Sequence, residues 1–252
     1  MTKSSKPIWE SAMQNNEIAL ELSGISASYG VVPAIRKVSL QVRHGSIVTM
    51  IGANGAGKST VIKSICGLLK TTAGTVKLFG QDVTGQSADK LVQRGIAVVP
   101  EGRRLFTDMT FKENLEMGAY TCSSAATTRH NMERVLTLFP DLKDRLSAIT
   151  GTFSGGQQQM VAVARALMSN PKVLLLDEPT IGLSPTVVDR IAETILEVSK
   201  GGVDILIIEQ NAEIALELAD YAYILEDGQV LAHGDAKVLA QSEQVQKAYL
   251  GA

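Results

Sequence analysis

Three short stretches of this chain combine residue types and spacing suited to phosphate and metal chemistry. The first is GANGAGKST, residues 52–60, which fits G-x-x-x-x-G-K-[ST]. In such a loop glycines let the backbone curl so that successive N–H groups point at one anion. A lysine at the helix start reaches the outer phosphate oxygens, and the next hydroxyl ligates Mg²⁺. Gly52, Asn54, Gly55, Gly57, Lys58, Ser59 and Thr60 are the candidate residues here, with Ser59 as the metal ligand. The second stretch is VLLLDEPT, residues 173–180, an apolar run that ends in paired acids. At the carboxyl end of a buried strand, Asp177 would hold Mg²⁺ through its water shell, and Glu178 would take the proton of an attacking water. The third is FSGGQQQMVAV, residues 153–163. Ser154, Gly155, Gly156 and Gln157 precede an apolar run with helical spacing, which makes a second helix start able to hold an anion.

The elements that must position these residues can be read from the apolar pattern. IVTMI (47–51) is a short buried-type strand feeding the glycine loop, and KSTVIKSICGLL (58–69) has helical spacing and stops near Gly67. AVVP (97–100), VLLLD (173–177) and ILIIE (205–209) are all-apolar runs of the kind that lie inside a parallel sheet covered on both faces. EIALELAD (213–220) follows as a helix, and YAYILEDGQVLAHG (221–234) reads as a hairpin around Asp227-Gly228. Between Pro100 and Ser154 strand-like runs give way to the helical patterns KENLEMGAY and HNMERVLTLF. The predicted organisation is a polar tail at 1–17, an α/β core over 18–100 and 154–252, and a helical subdomain at 101–153. Trp9, alone in the tail, is a candidate docking residue.

The bulk composition narrows the class. A net charge of −2 argues against nucleic-acid binding by overall electrostatics. The apolar runs fall short of the roughly 20 residues a membrane helix needs. MTKSSKPIWE lacks the apolar segment of a secretion signal. Cys66 and Cys122 have no metal or redox spacing and fit a reducing compartment. A soluble, cytoplasmic protein is expected.

In this order and spacing, the glycine loop, SGGQ and LLLDEP resemble the ATP-binding subunits of ABC transporters, over nearly the whole chain from about residue 18. The resemblance implies an α/β P-loop ATPase with a mainly parallel core sheet, an antiparallel β subdomain and a helical insertion. It implies ATP and Mg²⁺ as ligands, with Tyr29 in SYG stacking on adenine. Two such domains pair head to tail in the family, so Ser154, Gly155, Gly156 and Gln157 would hold the ATP bound by a partner. It also implies integral membrane permease subunits, an extracytoplasmic substrate-binding protein acting indirectly, and a place on the inner face of the cell membrane. Arg103 and Phe106, in RRLF, fall where the family receives a helix of the permease.

Some positions depart from the common family pattern. Glu101 stands where Gln usually bridges to Mg²⁺, and Gln210 stands where His usually contacts the γ-phosphate. Ser184 replaces a frequent Asp, and Phe153 replaces a frequent Leu. VPEGRR, IEQN and GLSP look like the branched-chain amino acid importers, in particular the ATPase subunit that lacks the His. Urea or short-chain amide importers look similar, and a soluble SGGQ ATPase or an ATP-sensing binder is the rival class. Gln210 can donate an amide N–H but carries no charge, and Glu101 adds negative charge beside a triphosphate. A slowed site in an asymmetric heterodimer is therefore expected, although a homodimer remains geometrically open.

Overall fold

The computed structural model describes residues 18–246; the tail at 1–17, Trp9 included, lies outside the described residues. Two long strands, β1 (Ile18–Tyr29) and β2 (Val32–Arg43), lead to β3 (Ile47–Ile51), the glycine loop and α1 (Lys58–Ile65). β4 (Thr71–Leu78), β5 (Gln81–Asp82), α2 (Ala88–Gln93) and β6 (Ile96–Val99) follow. Next come α3 (Phe111–Gly118), α4 (Ala125–Leu138) and two tight 3₁₀ turns, Pro140–Arg145 and Thr150–Thr152. The chain then alternates through α5 (Gly155–Leu167), β7 (Val173–Asp177), α6 (Pro185–Lys200), β8 (Asp204–Glu209) and α7 (Ala212–Leu218). A hairpin of β9 (Tyr221–Glu226) and β10 (Gln229–Asp235) precedes α8 (Ala236–Ala240) and α9 (Glu243–Val245).

The strands form two sheets, an antiparallel one ordered β2-β1-β4-β5 and a second ordered β10-β9-β3-β8-β7-β6. In the second, neighbours from β9 to β6 are parallel, and only β10 runs antiparallel. β3, β7 and β8 are buried at every position, which is why they read as unbroken apolar runs. Alternate residues feed two cores. Ile47, Ile51, Leu174, Leu176, Ile205 and Ile207 pack with the helical side of the molecule, including Phe111 and Leu115 of α3, Val161 of α5 and Ile191 and Ile195 of α6. Val48, Met50, Leu175, Leu206 and Ile208 face α1 and the antiparallel sheet. Each such fully buried side chain contributes about 1.5–3 kcal/mol of hydrophobic free energy.

Between β6 and α5 the regular elements are α3, α4 and the two 3₁₀ turns, joined by irregular segments. The helix expected over 58–69 ends earlier, at Ile65. Gly67 turns left-handed at φ 67°, and the N–H groups of Leu68 and Leu69 fold back onto the Lys63 carbonyl. A Cβ at Gly67 would run into the Gln86 carbonyl, so only glycine fits there.

Parallel strands deliver their carboxyl ends to one edge of the sheet. The glycine loop leaves β3 there, with Glu101 beyond β6, Asp177 and Glu178 at the end of β7, Gln210 beyond β8 and Asp227 beyond β9.

Candidate nucleotide site

The glycine loop is held by three different constraints. A Cβ at Gly52 would strike the Leu225 carbonyl, and one at Gly57 would strike Ile35 and the Ala34 carbonyl. Gly55, at φ 83°, meets nothing and is needed for its backbone angle alone. Gly57 starts α1 at φ 106°, and no side chain caps it. The N–H groups of the first turn therefore stay available to an anion.

Lys58 and Glu178 meet at this helix start. The Lys58 Nζ donates to the Gly52 carbonyl at 2.7 Å and the Ala53 carbonyl at 3.1 Å, and lies 3.2 Å from Glu178 Oε1. Both side chains are nearly buried, at 4% and 7% exposure. Glu178 adopts a left-handed φ of 49°, an unfavourable conformation for a side chain of its size. Its N–H donates to the Ile208 carbonyl at 2.8 Å, which helps to hold the turn. Ser59 Oγ donates to Asp177 Oδ1 at 3.3 Å. Burial holds the Asp177 carboxyl above the usual carboxylate range; the Ser59 hydrogen bond and Lys58 oppose this, and the charges of Glu101 and Glu178 add to it.

Carboxylates gathered around one lysine favour a further cation. Among the described residues no group of three or more His, Cys, Asp or Glu could hold a metal on its own. Ser59 and Asp177 together fit Mg²⁺, which keeps waters and phosphate oxygens as most of its ligands. Cys66, near Asp177, takes no part in such chemistry. Burial first, and the Asp177 charge second, push its thiol up to about 12.

Tyr29, Asn54, Gly55, Gly57, Lys58, Ser59, Thr60, Glu101 and Glu178 line one pocket of about 570 Å³, within the range of small-ligand sites. Gly52 and Asp177 are not among its lining residues, though Asp177 accepts from Ser59 and the Gly52 carbonyl from Lys58. A larger cavity of about 1120 Å³ opens beside Tyr221, Tyr223 and His233, but it contains none of the phosphate-binding elements. The nucleotide-sized pocket also has walls that the sequence pattern did not single out. Lys63 donates to the Tyr29 hydroxyl at 3.3 Å, with its ammonium 5.6 Å from the ring centre. Asp227 and Gly228 reach it from the β9–β10 turn. That turn is tied down by Gly228 N–H to the Ala56 carbonyl at 2.9 Å and Arg36 N–H to the Gly228 carbonyl at 2.8 Å. The Asp-Gly pair was legible as a turn, but nothing local tells which loop the turn touches.

Gln210 is exposed just past β8 and does not line the pocket, and its N–H donates to Glu209 Oε2 at 3.2 Å. Ser154, Gly155, Gly156 and Gln157 also stand outside this pocket. They close on themselves in a capping box: Gln157 N–H donates to Ser154 Oγ at 3.3 Å, and Ser154 N–H to Gln157 Oε1 at 3.1 Å. Arg145 Nη1 also donates to Gln157 Oε1, at 2.9 Å, with its guanidinium 4.1 Å from the Phe153 ring centre. Gly156 is also constrained within the chain. A Cβ there would strike Val187 of α6, so the close approach it permits is to its own chain.

Arg103 and Phe106 part company. The Arg103 guanidinium turns toward α5, reaching Gln158 and Gln159 at 3.4 and 3.3 Å and lying beside Gly155. Phe106 stays 43% exposed, whereas nearby Phe111 is fully buried core.

The family described as ABC transporter matches residues 35–181. The high-affinity branched-chain amino acid transport ATP-binding protein BraG of Pseudomonas aeruginosa is 44% identical over 92% of this chain and 99% of its own length. The probable branched-chain amino acid transport ATP-binding protein LivF of Archaeoglobus fulgidus is 36% identical over 90% of this chain and 96% of its own. Among solved structures, the ADP conformation of MJ1267, an ATP-binding cassette of an ABC transporter, superposes with a TM-score of 0.83 at 30% identity, covering 94% of this chain and 99% of that one. A dimeric ABC transporter cassette, MJ0796, gives 0.76 at 25% identity over 86% and 98% of the two chains. With the glycine loop, the DEP strand end and the SGGQ helix start all in their places, this chain belongs to the ABC transporter family.

Proposed function

We infer that this chain is the ATP-binding and ATP-hydrolysing subunit of an importer for branched-chain amino acids. The observation that carries the reading is the meeting of Lys58 with Glu178, and of Ser59 with Asp177, at an uncapped helix start. The substrate class rests on the likeness to BraG and LivF. Tyr29 would stack on adenine. Lys58 and the first-turn N–H groups of α1 would hold the β- and γ-phosphates. Mg²⁺, held by Ser59, Asp177 and Glu101, would neutralise charge on the phosphates. A triphosphate that engages Lys58 frees Glu178 to accept the proton of the attacking water. Gln210 would donate to the γ-phosphate without adding charge, which favours a slowed site.

The start of α5 would hold the nucleotide of a second ATPase subunit. Ser154 Oγ accepts within its own capping box, so its hydroxyl proton is left to donate across an interface. A heterodimer, with this chain's site the slower, fits Gln210 and Glu101. Phe106, exposed beside the arginines, is the proposed contact for a permease subunit on the inner membrane face, and a binding protein outside the cell would supply substrate to the permease. Among the described residues no helix is long and apolar enough to cross a membrane. The helical stretch within 101–153 and the core on either side act as the two bodies of this machine.

Glu178→Gln tests the chemistry. Mg-ATP binding should persist while phosphate release falls by about 10²–10⁴-fold, the usual contribution of a positioned base. Retained phosphate release would overturn the assignment. Leucine uptake driven by the assembled transporter, against urea as the alternative cargo, tests the substrate class.

A further inference from the structure

Glu209 closes β8 at 2% exposure, and none of the phosphate chemistry above uses it. Its carboxylate accepts from two separate turns. Oε1 takes the Thr180 hydroxyl at 2.6 Å and the Thr180 N–H at 3.0 Å, and Oε2 takes the Gln210 N–H at 3.2 Å. Thr180 lies on the turn that leaves β7 through Glu178, and Gln210 opens the turn that leaves β8. One buried side chain therefore ties the turn of the proposed base to the turn of the proposed γ-phosphate contact.

A carboxylate is a costly choice for a dry strand end unless its donors are needed. Burial holds the Glu209 carboxyl above the usual range, while donors from Thr180, Gln210 and Asn211 pull it back. What those donors brace is strained. Glu178 sits at φ 49°, and such a conformation persists only when its surroundings over-determine it. The Ile208 carbonyl holds Glu178 through its own N–H, and Glu209 holds Thr180 just beyond it. The base is bracketed from both sides by consecutive residues of β8.

We propose that Glu209 is a positioning residue that sets the placement of Glu178 relative to Gln210 and so aligns the attacking water, without touching nucleotide or water itself. This rests on the reading of Glu178 and Gln210 given under the proposed function. The two halves of the bracket can be cut separately. Glu209→Gln keeps an acceptor for Thr180 but turns an amide NH₂ toward the Gln210 N–H, donor against donor. Thr180→Val removes the hydroxyl donor at nearly constant volume, and Thr180→Ser keeps it.

In the assembled transporter, Glu209→Gln should lower kcat for ATP about tenfold, in line with the sensitivity of catalysis to sub-ångström misplacement, with KM changed by less than about twofold. Thr180→Val should lower kcat by less, and Thr180→Ser should restore it. Unchanged kcat in Glu209→Gln and Thr180→Val would overturn the proposal. So would a loss in Thr180→Val that Thr180→Ser does not recover, or a KM that rises in step with a falling melting temperature. Amide exchange on the purified chain gives a readout independent of turnover. Glu209→Gln should speed exchange at the Gln210 N–H about tenfold, as expected when a closing contact is lost, and leave Thr180 N–H protected. Unaltered Gln210 exchange would also overturn it. Absence of phosphate release from the wild-type transporter would sink the hydrolysis reading instead, and the exchange result would then decide the positioning claim alone.

Discussion

The starts of α1 and α5 look alike in sequence, each a small-residue run ahead of an amphipathic helix, yet they are built on opposite principles. α1 begins at a left-handed glycine with no side-chain cap, and a buried lysine stands at its first position. α5 begins at an extended serine, closed by a capping box and braced from outside by Arg145. The open start leaves its N–H groups and a cation to surround a ligand. The closed start uses its side-chain acceptors internally and leaves the Ser154 hydroxyl proton free to donate. In the proposed function the first cradles an anion and the second docks against one. The glycines teach the same lesson: Gly55 serves a backbone angle and Gly156 serves the fit against Val187.

The largest expected break between the two starts comes from Lys58→Ala. Losing a charged donor at the open start should weaken Mg-ATP binding by the isolated chain about 100-fold or more, measured by calorimetry. Arg145→Ala, at the closed start, should leave that affinity within about twofold. Equal losses would erase the distinction.

Gly156→Ala should destabilise the fold by about 1–3 kcal/mol in denaturant titration, because the added methyl overpacks against Val187. Adding Val187→Ala should recover most of that loss, as coupled neighbours do. No recovery would mean that Gly156 has a different role. Ser154→Ala should cost about 1 kcal/mol through the lost cap. In the Glu178→Gln background it should also abolish any ATP-driven association with the second ATPase subunit seen by sedimentation, while leaving nucleotide binding by the isolated chain intact.

The smallest effect expected is a pH slope from the open side. Asp177 and Glu209 hold their protons more tightly in the folded chain than in the unfolded one. The folded state therefore binds more protons just above the ordinary carboxylate range, and stability should fall as pH rises through that window. Asp177→Asn should make the fall shallower in urea midpoints taken across it. An identical slope would remove Asp177 as a contributor.

Much of the fold was legible because the sheet is buried on both faces: IVTMI, VLLLD and ILIIE could be nothing but central strands once the glycine loop set their context. The loop itself was legible because backbone curvature, cation and hydroxyl fall within nine consecutive residues, 52–60. Glu209 was hidden for the opposite reason. It looked like the last letter of an apolar strand, and its partners Thr180 and Gln210 come together only when β7 and β8 pair in register, Asp177 beside Ile208. Asp227 was read as a turn residue, and its place against the pocket depends on β9 lying next to β3. Arg103 was read through the resemblance as a permease contact, and the approach of its guanidinium to α5 carries no local mark in the sequence.

What the sequence by itself determined is therefore the chemistry that one continuous segment can hold: an anion cradle, a strand ending in two acids, and a second small-residue helix start. Local backbone preference and apolar period act over a few residues, so they are written locally. Only the tertiary structure decided which of these share a pocket, which glycine is bound by packing and not by φ, and which buried carboxylate braces two turns. Those choices follow from strand order and register, and the contacts they create join residues far apart in the chain that carry no mark of one another.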